Sequence, residues 1–161
     1  MSILDEMIRL SDGSIAGEPA YYAPLRDGDF AASVPLLKEA MRNDDAHAMA
    51  VFGTLLAFGR GIESNMQDAA DWFRQSAVRG NLHGQAAFGA CLATGMGVAI
   101  DRSEAAHWLW RAMRGGLGWA AEILSDLILG DQNVVDGHFT MQEFYAAYAQ
   151  LRRPVPKASL H

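Results

Sequence analysis

Ala48-x3-Phe52-Gly53-x2-Leu56-x2-Gly59-x-Gly61-Ile62, continued by Ala69-x2-Trp72-x4-Ala77-x2-Gly80, decides the fold because the chain writes it twice. Thirty-six residues on stand Phe88-Gly89, Leu92, Gly95-x-Gly97-Val98, Ala105, Trp108 and Gly116, each in its equivalent slot. Self-similarity with a period between about 20 and 50 residues marks a solenoid, whose units cannot bury their apolar faces alone and must stack.

Inside each unit the apolar residues recur at helical spacing, and glycines divide the unit in two, so each unit is expected to be a helical hairpin. In the first complete unit, helix A is expected over about Asp45 to Phe58, capped by Asp44 or Asp45, with Ala48, Phe52, Leu55 and Leu56 inward. Gly59 and Gly61 end it by accepting positive φ. Helix B follows over about Gln67 to Arg79, with Trp72 and Phe73 inward and Gly80 as its stop. The second unit repeats the plan with helices at about 82–94 and 103–114.

The register reaches beyond these copies. A further step carries Trp108 to Phe144 and predicts helices at about 118–129 and 140–151, with Asp131-Gln132-Asn133 in place of the glycine loop. A backward step carries Trp72 to Leu36, so Phe30 to Arg42 reads as a leading helix B. The predicted organisation is one all-α domain: an N-terminal cap (1–26), leading helix B (30–43), repeats at 45–80 and 81–116, a degenerate C-terminal repeat (117–152) and a frayed tail (153–161). The cap is expected to begin with an amphipathic helix carrying Ile3, Leu4, Met7, Ile8 and Leu10. Gly53 and Gly89, mid-helix, imply a close helix crossing, and Trp72 and Trp108 are read as buried wedges between repeats.

This pattern closely resembles the Sel-one-like repeat of the tetratricopeptide-like superfamily, with Gly84 in place of the usual alanine and Met113 in place of the usual small residue. The resemblance covers about Phe30 to Leu151 and implies a right-handed α-solenoid of antiparallel helix pairs, about three and a half repeats of 36 residues. It further implies that the concave surface, lined by A helices, holds a protein or peptide. Members act mainly as adaptors and scaffolds, and some small bacterial ones as immunity proteins against a toxin. Disulfide-stapled secreted members need a cysteine pair in each repeat, whereas this chain has Cys91 alone.

Bulk composition narrows the partners. Half of the residues are hydrophobic and a fifth charged, as in a folded soluble domain. Nineteen acids oppose thirteen bases with no basic stripe, which argues against nucleic acid. Nine acids and four bases fall in residues 1–45, an acidic end suited to a basic surface. No apolar run approaches the ~18 residues of a membrane span. Acids replace the basic start of a signal peptide, so the expected location is cytoplasmic.

Glu104-Ala105-Ala106-His107 matches one Glu-x-x-His element but lacks the second copy and further glutamates of a di-metal bundle. Gly95-Met96-Gly97 starts like a phosphate fingerprint, but Ile100 occupies the third glycine position and no strand is predicted before it. His47 and His83 share a slot in successive units and are expected roughly 10 Å apart, too far to share a metal. No catalytic residue, metal or cofactor is assigned; a small hydrolase or metal-dependent enzyme on the same scaffold is the alternative.

The partner surface follows by subtraction from the inward positions of helix A. It comprises columns His47, His83 and Trp119; Ala50, Ala86 and Glu122; Thr54, Ala90 and Asp126; with Phe58 at the end. Trp119, an aromatic with no evident packing partner, reads either as a binding anchor or as a cover for the exposed end of the stack. The expected function is a non-enzymatic interaction module for a protein or peptide, in sharper form an immunity protein or inhibitor occluding a toxin or enzyme, or an adaptor.

Overall fold

The structure is a computed structural model that describes residues 18–135 and 137–152. The expectations for the amphipathic segment at the N-terminus and for the tail lie outside these residues. Among the described residues eight α-helices follow one another: α1 (Tyr22–Arg26), α2 (Phe30–Arg42), α3 (Ala46–Phe58), α4 (Met66–Val78), α5 (Leu82–Thr94), α6 (Arg102–Arg114), α7 (Gly118–Gly130) and α8 (Met141–Leu151). One 3-10 turn, Gln132–Val135, separates α7 from α8. Among the described residues no helix is long and apolar enough to cross a membrane.

The helix starts obey the 36-residue step. Asp29, Asn65 and Asp101 cap α2, α4 and α6, each side chain accepting from a backbone N–H three residues on at 2.9–3.1 Å. Asp45 and Asn81 cap α3 and α5 in the same way. Such a cap contributes about 1 kcal/mol by satisfying an otherwise orphaned donor. The next residue in that series, Leu117, makes no cap bond and is instead buried.

The helix ends repeat as well. Gly59 and Gly95 adopt left-handed φ of 64° and 78° and close α3 and α5. The second glycine of each pair has a different task. A Cβ on Gly97 would lie 2.6 Å from the Met66 carbonyl carbon, and one on Gly61 would lie 2.5 Å from the Ala31 nitrogen. Met66 begins α4 and Ala31 lies at the start of α2, so each loop rests on the first turn of the preceding B helix. Ile62 and Val98 pack against the adjoining core. In the last unit the 3-10 turn replaces this loop, burying Val134 and Val135.

Within a hairpin the helices cross at Gly53 and Gly89. A Cβ there would stand 2.7 Å from Phe73 Cε1 or 2.8 Å from Leu109 Cγ, and in both cases 3.2 Å from a carbonyl oxygen of the B helix. The expected close crossing is present, and helix propensity is sacrificed for it.

Two expectations are corrected. Trp72 and Trp108 are half-buried, not buried; each meets Phe52 or Phe88 of its own hairpin edge-on, at 5.8 and 6.0 Å. The buried B-helix positions are the next residues, Phe73 and Leu109. The A helices were expected to leave one face open, but every residue of α3 from Ala48 to Leu56 is buried. Successive A helices lie against each other as well as against the B layer, so α3 and α5 have covered flanks.

A methyl group at Gly97 meets both backbone contact and unfavourable φ of 73°, whereas one at Gly116 (φ 101°) meets open space. We expect Gly116→Ala to cost about 1 kcal/mol and Gly97→Ala upwards of ~2 kcal/mol in urea unfolding. Equal losses would contradict the seating of the loop. Asp44 holds left-handed φ of 66° in the slot of Gly80 and Gly116, so Asp44→Gly is expected to raise stability by up to ~1 kcal/mol despite losing its exposed pair with Arg79.

Candidate functional site: an apolar groove across three hairpins

Stacking the A helices side by side leaves a cavity of about 230 Å³ between α3, α5 and α7. Thr54, Ala57 and Phe58 form one wall, Ala87, Ala90 and Cys91 the floor, and Trp119 and Ile123 the other wall. Met66, Phe73 and Met96 complete the lining. The residues are equivalent by the repeat: Thr54 and Ala90 share one slot, Ala87 and Ile123 another. Small residues on the central helix keep the floor low, while larger ones on the flanking helices raise the sides.

Phe58 is 64% exposed and Met96 46% exposed at the rim. Large apolar side chains left in water beside a concave apolar surface are the usual mark of a contact region. Cys91 contributes a buried thiol pushed up to about 11 by desolvation, so it lies there as an uncharged apolar group.

Of the residues expected at the partner surface, Thr54, Phe58, Ala90 and Trp119 line this cavity. Glu122 and Asp126 are exposed on the same face of α7 as Trp119 and Ile123. Ala50 and Ala86 are completely buried and cannot meet a partner, because their slot faces the neighbouring helices. His83 is also buried and His47 half-buried, and neither lines the cavity although they share the repeat slot of Trp119. The sequence reading missed Met66, Met96 and Ile123. Met96 had a signal, since it replaces Arg60 at the middle of the glycine loop; Met66 and Ile123 required knowledge of which helices converge.

The histidine column continues from the groove to the N-terminal end of the array. His47 and His83 have ring centroids 6.2 Å apart, edge to face, closer than the roughly 10 Å expected from helix packing. Tyr22 stacks on His47 at 5.7 Å, and Tyr21 donates its hydroxyl to Asp45 at 3.0 Å, which attaches α1 to the array. Both tyrosine hydroxyls are held protonated above their ordinary range, chiefly by burial. His47 Nε2, His83 Nδ1 and Trp119 Nε1 are buried without a hydrogen-bond partner. These three stand one repeat apart in a single column. Burial lowers the pKa of His47, opposed by Asp45, and pulls that of His83 down to about 4, with the neighbouring His47 adding to the shift.

A second ring pair lies on the B side. His107 and His138 are 5.1 Å apart, and His138 Nε2 lies 3.2 Å from Ser103 Oγ. Glu104 accepts from the Trp108 indole N–H at 3.2 Å. Among the described residues no three His, Cys, Asp or Glu side chains are arranged to hold a metal ion.

The shift of His83 has a definite sign. Between its folded value of about 4 and the ordinary 6.5, the unfolded chain takes a proton that the folded chain refuses. Stability is therefore complete above pH 6.5 and declines as the pH falls to about 4, by roughly 3 kcal/mol at most from this group. Urea midpoints across this range check it, with His83→Phe expected to flatten the dependence. An unaltered slope in that variant would remove His83 as its source.

No protein-family model matches the chain, and no curated protein sequence matches it. Two solved structures are similar to it. One is a Sel1 repeat protein from Oxalobacter formigenes, with TM-score 0.66 and 18% identity, covering 81% of this chain and 52% of that one. The other is a protective antigen present in uropathogenic Escherichia coli strains and displaying an SLR fold, with TM-score 0.58 and 18% identity over 98% of this chain and 34% of that one. The present chain spans about half and a third of their lengths. It shares its fold with the Sel1-repeat proteins, an all-α, right-handed solenoid of antiparallel helix pairs.

Proposed function

We propose that the chain is a non-enzymatic interaction module that holds a protein or peptide segment in the groove across α3, α5 and α7. The observation that carries this reading is the continuous apolar cavity with Phe58 and Met96 standing in solvent at its rim. Burying such side chains against a partner is favourable by about 25 cal/mol per Å² of apolar surface removed from water. In its sharper form the module is an inhibitor: a segment of a toxin or enzyme sits in the groove and is thereby withheld from its own target. An adaptor would use the same surface to join two proteins.

Ala90 is half-exposed on the groove floor, so Ala90→Glu introduces a charge into the contact without emptying the core. Capture of a native-host partner by the tagged chain is expected to fall at least tenfold, or about 1.4 kcal/mol, at an unchanged melting temperature. Undiminished capture would show that the partner binds another face.

A further inference from the structure

The groove is electrostatically lopsided. On α7, Trp119, Glu122, Ile123 and Asp126 fall at i, i+3, i+4 and i+7, one face of the helix. Trp119 and Ile123 line the cavity, which puts the two carboxylates at its edge on the third hairpin. Both are exposed, and neither is in an ion pair among the described residues. On the first hairpin the Arg60 guanidinium lies between the rings of Phe30 and Phe58, 5.5 and 5.9 Å from their centres, and so stands beside the opposite edge at Phe58. Between the two edges the lining is apolar except for the Thr54 hydroxyl, which donates to the Ala50 carbonyl.

We infer that the groove takes a protein segment with one bulky aliphatic or aromatic anchor and a lysine or arginine to one side of it, the anchor in the cavity and the cation against Glu122 and Asp126. This rests on the groove being the binding surface. An anchor alone would be accepted in either direction along a floor of small residues. The charges at the two edges break that symmetry: reversing the segment sets its cation beside Arg60 and leaves both carboxylates unpaired. Like-charge juxtaposition of this kind selects orientation and partner more than it raises affinity. The histidine column does not cancel the acidic edge at neutral pH, because desolvation keeps His47 and His83 uncharged. The net charge of −6 attracts a basic segment over longer range.

The full chain can be tested with a phage-displayed library of random twelve-residue peptides, followed by affinity measurement on synthetic copies of those selected. Enriched peptides are expected to share a Leu, Ile, Met, Phe or Trp anchor with Lys or Arg on a constant side of it. Their affinity should fall at least tenfold on Ala90→Glu, and at least threefold on the double variant Glu122→Gln, Asp126→Asn, with a shallower salt dependence. Both acids are exposed, so the double variant should keep its melting temperature. Peptides that lose affinity on Ala90→Glu but carry no basic residue, or are indifferent to the double variant, would overturn the charge preference and leave the groove standing. Peptides indifferent to Ala90→Glu, or no enrichment at all, would overturn the groove and the preference together.

Discussion

Where the loop of one hairpin meets the first turn of the preceding B helix there is no room for a side chain. Gly61 and Gly97 occupy that contact, and the residues they press upon, at the starts of α2 and α4, are themselves one repeat apart. Glycine supplies both the left-handed turn and the missing Cβ, so one residue type satisfies a conformational and a packing demand at once. The same displacement then recurs from hairpin to hairpin. Repetition of a single local contact is what turns a row of hairpins into a solenoid, since each unit sees only its neighbours.

Fixing that step brings the A helices together. Gly53 and Gly89 draw each A helix onto its own B helix, while the loop contact brings successive A helices side by side. The central helices are therefore covered on several sides and can be apolar throughout, as the unbroken burial from Ala48 to Leu56 reflects. The groove between the A helices opens where the lining side chains are small, along Ala87 and Ala90, and it is bounded where they are large, at Phe58, Trp119 and Ile123. Its shape is a difference of side-chain volumes on a repeated backbone.

The same close approach explains the chemistry of the histidine column. Two imidazoles and an indole stand in one slot of three successive units, each with a nitrogen lacking a partner. A buried unsatisfied donor or acceptor costs on the order of 1–3 kcal/mol, and this seam holds three of the unsatisfied buried polar atoms among the described residues, Gln85 Oε1 being another. It lies between the groove and α1, where Tyr22 and the Tyr21–Asp45 hydrogen bond join the N-terminal helix to the array. Events in the groove and the attachment of α1 therefore share a row of side chains.

The sequence by itself determined the period, the limits of α2 to α8 to within a residue, and the Asp45 cap, because these depend on local conformational preference: a capping side chain at a helix start, glycine at positive φ, apolar residues at helical spacing. It also determined the close crossing at Gly53, since a glycine inside a helix is explained by what it lets approach. Tertiary structure alone decided which A-helix positions remain open. A helical wheel assumes one covered face, and in this array the neighbouring A helix covers a second, which buries Ala50, Ala86 and His83 and leaves Thr54, Phe58 and Trp119 at the cavity. The partial exposure of Trp72 and Trp108, the meeting of His47 with His83, and the recruitment of Met66 and Ile123 to one groove were decided there too. Each depends on distances between helices far apart along the chain, and those are set by packing rather than by any preference a short stretch of residues can express.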